Sequence, residues 1–275
     1  MHPPFEGLIQ STAGPAFVRA IGHGQRLLVF HGGPGFDHTS IIDGVRPISG
    51  QRTLVFFDQL GCGATPAPDG PVTAEATFAH AAAILEALAD DGFGILAFSW
   101  GSVVAAAAVA AQSGFEAAET ILICPSPIDS ESYAKARTAI GSRIPPEAMQ
   151  EMMAMLEAGA GGAEAFARVL PYYVADPEHP LPPIAVNPAT YASVDASLGP
   201  FDFRDALARM GRITVIRGEE DYAEESAIAP VLDAAARRID IECACHFPFL
   251  EQPEAFREAL LEAVADGDAS TGIQH

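Results

Sequence analysis

The chain has 275 residues, 36 Asp and Glu against 15 Lys and Arg, a net charge of −21 and a hydrophobic fraction of 49%. That size and apolar content fit one large globular body with a buried core, and the acidic balance excludes the basic footprint that nucleic acid or an anionic membrane surface requires. No apolar run approaches a membrane span, Met1-His2-Pro3-Pro4 lacks the features of a secretory signal, and the four cysteines show no metal-ligand spacing. The expectation is a cytoplasmic protein with free thiols, no cofactor and no metal.

Two short strand-like runs, Ala16 to Ala20 and Arg26 to Phe30, flank Gly22-His23-Gly24 and read as a hairpin. The second runs into His31-Gly32-Gly33-Pro34-Gly35, a loop that cannot continue a strand and leaves its amides bare of side chains. It lacks the spacing of a phosphate-binding loop. Its place after a strand suits a donor to an oxyanion, a role that falls to the Gly33 amide, while His31 props the loop.

Thr53 to Phe57 is a buried strand by composition, and Thr73 to Asp90 is a helix with Glu75 in its first turn. Ile95 to Phe98 is a short apolar strand that meets Ser99 and then at once the Ala/Val helix former Val103 to Ala111. The serine therefore sits in a tight strand-to-helix turn, with small residues, Ala97 and Gly101, two positions to either side. The helix N-terminus behind it favours negative charge beside Ser99, so the Trp100 amide is the second oxyanion donor. A further strand runs from Thr120 to Cys124. The alternation of strand and helix predicts an α/β fold with a mostly parallel, doubly wound sheet.

After Pro125 the strand rhythm stops. Helical patches at 131–140, 146–157 and 164–170 and a proline-dense run from Pro171 to Pro188 predict a helical cap over 128–200, inserted into a core made of 1–127 and 201–275. Met149, Met152, Met153, Met155 and Leu156 give that cap an adaptable apolar surface. The sheet then resumes with Ile213 to Ile216, ending at Glu219-Glu220-Asp221; a helix from Glu224 to Arg238 and a strand from Ile239 to Ala244 lead to His246. A helix from Pro253 to Ala265 closes the fold, and 266–275 reads as a frayed tail.

Ser99, Asp221 and His246 each follow a strand, at the sheet edge where open α/β folds bind ligands. Their order along the chain is that of an α/β-hydrolase. In that arrangement His246 takes the proton of Ser99 as the serine attacks a carbonyl, Asp221 holds the imidazole, and an acyl-enzyme forms over the Gly33 and Trp100 amides.

His31-Gly32-Gly33-Pro34-Gly35, Asp58-Gln59-Leu60-Gly61-Cys62-Gly63, Ser99-Trp100-Gly101-Ser102, Gly218-Glu219-Glu220-Asp221 and His246-Phe247-Pro248-Phe249-Leu250-Glu251-Gln252-Pro253 resemble the motifs of the proline iminopeptidases, α/β-hydrolases that remove N-terminal residues, preferentially proline, from peptides. The resemblance spans both halves of the core but not the cap. It implies carboxylates that meet the substrate's amine, one of them next to the Asp of the triad. Here Tyr222 stands in that place, so the substrate contacts are sought at Tyr222, at Glu219 and Glu220, and at Glu147 and Glu151, one helical turn apart on a shared face. The expected partner is a short peptide or small molecule. An esterase or lactonase using the same triad is the alternative, and a non-catalytic ligand receptor on the same fold is a third.

Overall fold

The computed structural model describes residues 3–90 and 92–270, the side chains of 266–270 excepted. Eight strands form one sheet: β1 (Phe5–Ser11), β2 (Gly14–Gly22), β3 (Gln25–Phe30), β4 (Arg52–Phe57), β5 (Gly94–Phe98), β6 (Glu119–Ile123), β7 (Arg212–Gly218) and β8 (Arg237–Ile241). Their spatial order is β1-β2-β4-β3-β5-β6-β7-β8. β1 and β2 pair antiparallel, as do β2 and β4, and every pair from β4 onward across the sheet is parallel.

The helices are α1 (Ile42–Val45), α2 (Ala74–Leu88), α3 (Trp100–Ala111), α4 (Ser130–Arg143), α5 (Pro146–Glu157), α6 (Gly162–Phe166), α7 (Pro188–Ser197), α8 (Ala229–Ala234), α9 (Pro248–Glu251) and α10 (Pro253–Ser270). Two apolar cores result, one on each sheet face. On one, α2 and α3 set Ile84, Leu85, Val103 and Val104 against Leu28, Val55 and Ile95. On the other, α1 and α10 set Val45, Phe256, Leu260 and Val264 against Leu27, Leu54 and Leu96. The central parallel strands β4, β5 and β6 are buried along their whole length, as strands covered on both faces must be. Arg52 and Glu119 lie side by side inside this body as a 2.8 Å ion pair, with Arg52 also donating to the Val264 carbonyl at 2.8 Å. No helix among the described residues is long and apolar enough to cross a membrane.

Three expectations change. The runs around Gly22 to Gly24 are not a hairpin, because β4 lies between β2 and β3 and pairs with both. The true hairpin is β1 with β2, closed at Ser11 and Gly14, and the 22–24 turn is instead pressed onto the chain entering β4. A Cβ on Gly22 or Gly24 would meet the carbonyl of Arg52 or Gln51 at 2.4 Å. The helix expected over 224–238 is reduced to α8, which starts with Pro230 in its first turn, and β8 begins earlier than expected, at Arg237. As an edge strand it alternates exposed and covered positions, which hid it behind an arginine pair. Finally, α10 continues to Ser270, while the rest of the expected tail, 271–275, lies outside the described residues.

Between β6 and β7 the chain adds α4 to α7 and the 3-10 turn Leu170–Tyr173. The ends of this segment are tied together: Asp129 and Asp202 form an isolated bridge, Ser130 N donates to Phe201 O and Phe203 N to Ile128 O, both at 2.9 Å.

Candidate active site

The turn from β5 into α3 holds Ser99 at φ 51°, in the left-handed region that side chains rarely adopt. The turn is fixed from both sides. Ser99 N donates to Ile123 O at 3.0 Å, and Ser102 returns its hydroxyl to the Ser99 carbonyl at 2.6 Å. Small residues are required here for a measurable reason: a Cβ on Gly101 would lie 2.3 Å from Phe30 O and 2.7 Å from His31 O. α3 thus starts hard against the end of β3.

β7 and β8 bring in the other two groups. His246 Nε2 lies 2.8 Å from Ser99 Oγ, and His246 Nδ1 lies 3.0 Å from Asp221 Oδ1. Ser99, Asp221 and His246 are buried to within 7% of full enclosure. With the buried carboxylate accepting from Nδ1–H, the lone pair of Nε2 faces the serine hydroxyl, an arrangement able to take its proton. Gly218, at the end of β7, packs so closely that a Cβ would fall 2.0 Å from Cys245 O, which draws the Asp221 and His246 loops together.

The His31 loop follows the same logic. Gln59 N donates to His31 Nε2 at 3.0 Å, so the ring's proton is on Nδ1, which donates to Gly32 O at 2.7 Å. Burial holds His31 below the usual imidazole range, in keeping with an accepting nitrogen. Gln59 then links His31 O to Trp100 Nε1, at 2.8 and 3.1 Å. Gly33, at φ 136°, has its Cβ direction 3.7 Å from Trp100 Cδ1, so Gly33 and Trp100 are neighbours across the mouth of the turn. The Trp100 amide is the first of α3 and has no carbonyl four residues back within the helix to bond.

Glu251, in the run from His246 to Pro253, holds the His246 loop. Its buried carboxylate accepts from Cys245 N and Phe247 N at 3.0 Å and from Ala175 N at 2.7 Å, gripping the residues on both sides of His246. Cys124 Sγ also lies in a group with Asp221 and His246, their donor atoms all within 4.8 Å of one another. Burial and the Asp221 charge push that thiol well above its usual range, and it donates to Cys245 O. It is therefore a neutral thiol beside the Asp221 and His246 pair.

The cleft above Ser99 encloses about 680 Å³, part of it open to solvent. Four tyrosines line it: Tyr133, Tyr173, Tyr191 and Tyr222. Burial raises all four phenols, Tyr133 to about 12, so each remains a protonated hydroxyl. Arg137 and His246 are the only residues of the lining that can carry charge besides these phenols, and no carboxylate is among them. Arg137 is itself paired with Asp195.

Of the residues expected to hold substrate, only Tyr222 lies at the cleft; its ring centroid is 4.5 Å from that of His246. Glu147 and Glu151 are exposed on α5, with Glu151 3.5 Å from Arg168, and Glu219 and Glu220 are exposed beyond β7. None of the four lines the cleft. The reason for the first pair is helical geometry: they lie on the face opposite Met149, Met152, Met153 and Leu156, and the apolar face turns inward.

A family model described as alpha/beta hydrolase family matches residues 27–259. The chain belongs to the alpha/beta hydrolase family. Among curated proteins it is similar to a proline iminopeptidase of Heyndrickxia coagulans, 25% identical over 91% of this chain and 95% of the relative. Among solved structures it resembles VinJ, with a TM-score of 0.72 at 19% identity over 96% of this chain and 99% of that one. It also resembles a thermophilic esterase of Thermogutta terrifontis, with a TM-score of 0.67 at 19% identity over 96% and 99%. At such identities the two structures speak for the fold.

Proposed function

We propose that this hydrolase cleaves the acyl bond of a small, neutral, largely apolar or aromatic ester through an acyl-enzyme on Ser99. Ser99 Oγ attacks the carbonyl carbon and passes its proton to His246 Nε2 while Asp221 holds the imidazole from Nδ1. The carbonyl oxygen, now negative, is received by the amides of Gly33 and Trp100. His246 then returns the proton to the leaving oxygen as the carbon–oxygen bond breaks, and water repeats the sequence to free the acid. Residues 128–200 act as the cap, a division supported by the bonds that join 128–130 to 201–203.

The observation that carries this reading is the cleft lining. Bringing an ammonium group there would strip its water, a cost of several kcal/mol unless a carboxylate meets it, and the lining offers tyrosines and a guanidinium. The test compares p-nitrophenyl butyrate with prolyl p-nitroanilide. The ester is expected to be the better substrate by kcat/KM, and covalent labelling by a fluorophosphonate is expected at Ser99. Preferred turnover of the free-amine substrate, lost on N-acetylation, would overturn the ester reading.

A second reading, removal of an N-terminal residue from small peptides or amides, is supported by the similarity to the Heyndrickxia protein along nearly the whole chain. Under it Asp195, the one acid lining the adjoining cavity, would have to leave Arg137 to meet the amine. A cytoplasmic setting belongs to the proposal under either reading, in keeping with four free cysteines.

A further inference from the structure

A second cavity of about 1160 Å³, also partly open to solvent, lies beneath α5. It shares five wall residues with the Ser99 cleft: Phe36, Arg137, Phe166, Tyr173 and Tyr191. The two spaces therefore adjoin and share a wall.

The helix above the chamber is unusual in what it leaves unburied. Met149, Met152, Met153 and Leu156 follow the i, i+3, i+4, i+7 spacing of an amphipathic helix and all four line the chamber, yet α5 has no fully buried residue. Four large apolar side chains of the described residues are markedly exposed, and three of them, Met149 at 37%, Met153 at 48% and Tyr191 at 37%, line this chamber. Met152 packs against the small cluster of Ile140, Ile144 and Val169, whereas Met149 and Met153 stay largely uncovered, and that open part of the face is completed by something else. The outer face of α5 carries Glu147 and Glu151, and Glu157 ends the helix, an acidic border unsuited to an anionic lipid surface. The chamber is concave and shares a wall with the cleft, which favours a molecule already anchored at Ser99 over a second protein.

We infer that this chamber receives a flexible, unbranched apolar chain of the substrate whose acyl bond lies at Ser99. This rests on the ester reading above. Methionines, unbranched and polarizable, fit a chain that adopts many shapes. The charges on the walls, Arg137 and Asp195, neutralise each other, so the chain needs no charged end. An acyl chain and the alkyl chain of an alcohol share this chemistry, and the two arms of the test tell them apart.

One arm of the test uses p-nitrophenyl esters from acetate to octanoate, the other acetate esters of ethanol through octanol. In one arm kcat/KM is expected to rise roughly threefold to fourfold per added methylene, the rate equivalent of burying each one. Met149→Asp combined with Met153→Asp changes only partly exposed positions and is expected to lower the ratio of octanoyl to butyryl turnover at least tenfold. Circular dichroism and Tm establish that the variant is folded. A flat or falling profile in both arms of the wild type, with short esters still turned over, overturns the chamber assignment alone. If no ester is turned over and no fluorophosphonate reacts, the ester reading fails instead. Calorimetric binding of octanoyl and butyryl esters to Ser99→Ala then decides the chamber, tighter binding of the longer chain supporting it and equal binding overturning it. Vesicle binding or dimer formation that the double variant abolishes, with a flat chain-length profile, assigns the face to lipid or to a second copy and likewise overturns it.

Discussion

The hydroxyl of Tyr222 lies 3.3 Å from His246 Nε2, the same nitrogen that Ser99 Oγ approaches to 2.8 Å. A neutral imidazole has one lone pair at that nitrogen, so two hydroxyls compete for it in the resting site. The buried phenol keeps its proton and remains a donor. We propose that it turns to the leaving oxygen once substrate is bound. Tyr222→Phe is then expected to lower kcat/KM about tenfold, the equivalent of about 1.4 kcal/mol for one hydrogen bond. Unchanged steady-state kinetics would remove Tyr222 from the site.

Ser99→Ala tests the nucleophile. The predicted loss in kcat is on the order of 10⁴ to 10⁶, with fluorophosphonate labelling abolished and the fold retained. Turnover within a hundredfold of the wild type would point to another nucleophile.

Glu251 is expected to act through His246 and not on substrate. In Glu251→Gln an amide NH₂ would face backbone N–H donors now satisfied by carboxylate oxygens. Stability should fall by about 2–3 kcal/mol, the scale of hydrogen bonds to a charged group, and kcat should drop more than KM rises. A variant that loses stability but keeps its kcat would restrict Glu251 to a structural role.

Acid should destabilise the protein before the carboxylates titrate. Burial holds both His31 and His80 below the usual imidazole range. The unfolded chain binds protons that the folded chain refuses, so this stability is complete above about pH 6.5 and is lost as pH falls below that toward the folded values. Asp58 extends the loss to lower pH: burial alone would raise it, but the His38 hydrogen bond and the amides of Ala64 and His38 hold it below the ordinary carboxylate range. Its contribution is present above that range and lost beneath it. Tm is expected to fall as pH drops from about 6.5 to 5.5, and less so in His80→Gln, which cannot titrate. A Tm independent of pH across that interval contradicts the assignment.

Where local chemistry decided the structure, the sequence was readable. Ser99 between an apolar strand and an alanine-rich helix, with Gly101 two positions on, can form little other than the turn observed, and α5 begins and ends at Pro146 and Glu157 as its pattern indicates. Non-local choices were not readable. Nothing in Ala16 to Phe30 reveals that β4, drawn from beyond α1, separates β2 from β3. Glu147 and Glu151 share a face of α5, but the direction of that face follows from where Met149 and Met153 turn. The anchoring of His246 by Glu251 depends on a carboxylate folding back beneath its own loop, which spacing does not encode.

The whole segment 124–211 separates two strands that pair directly, β6 and β7. During synthesis β6 emerges with β3, β4 and β5 available on one side, while its other edge has no partner until that segment has been made. An unpaired parallel edge that carries the apolar run Ile121 to Ile123 invites association with other chains. The time for which it stays open is set by the length of the insertion, and non-local pairing of this kind folds slowly. Helices α4 to α7 therefore do more than shape the cleft: their length is the delay between β6 and the strand that completes the sheet.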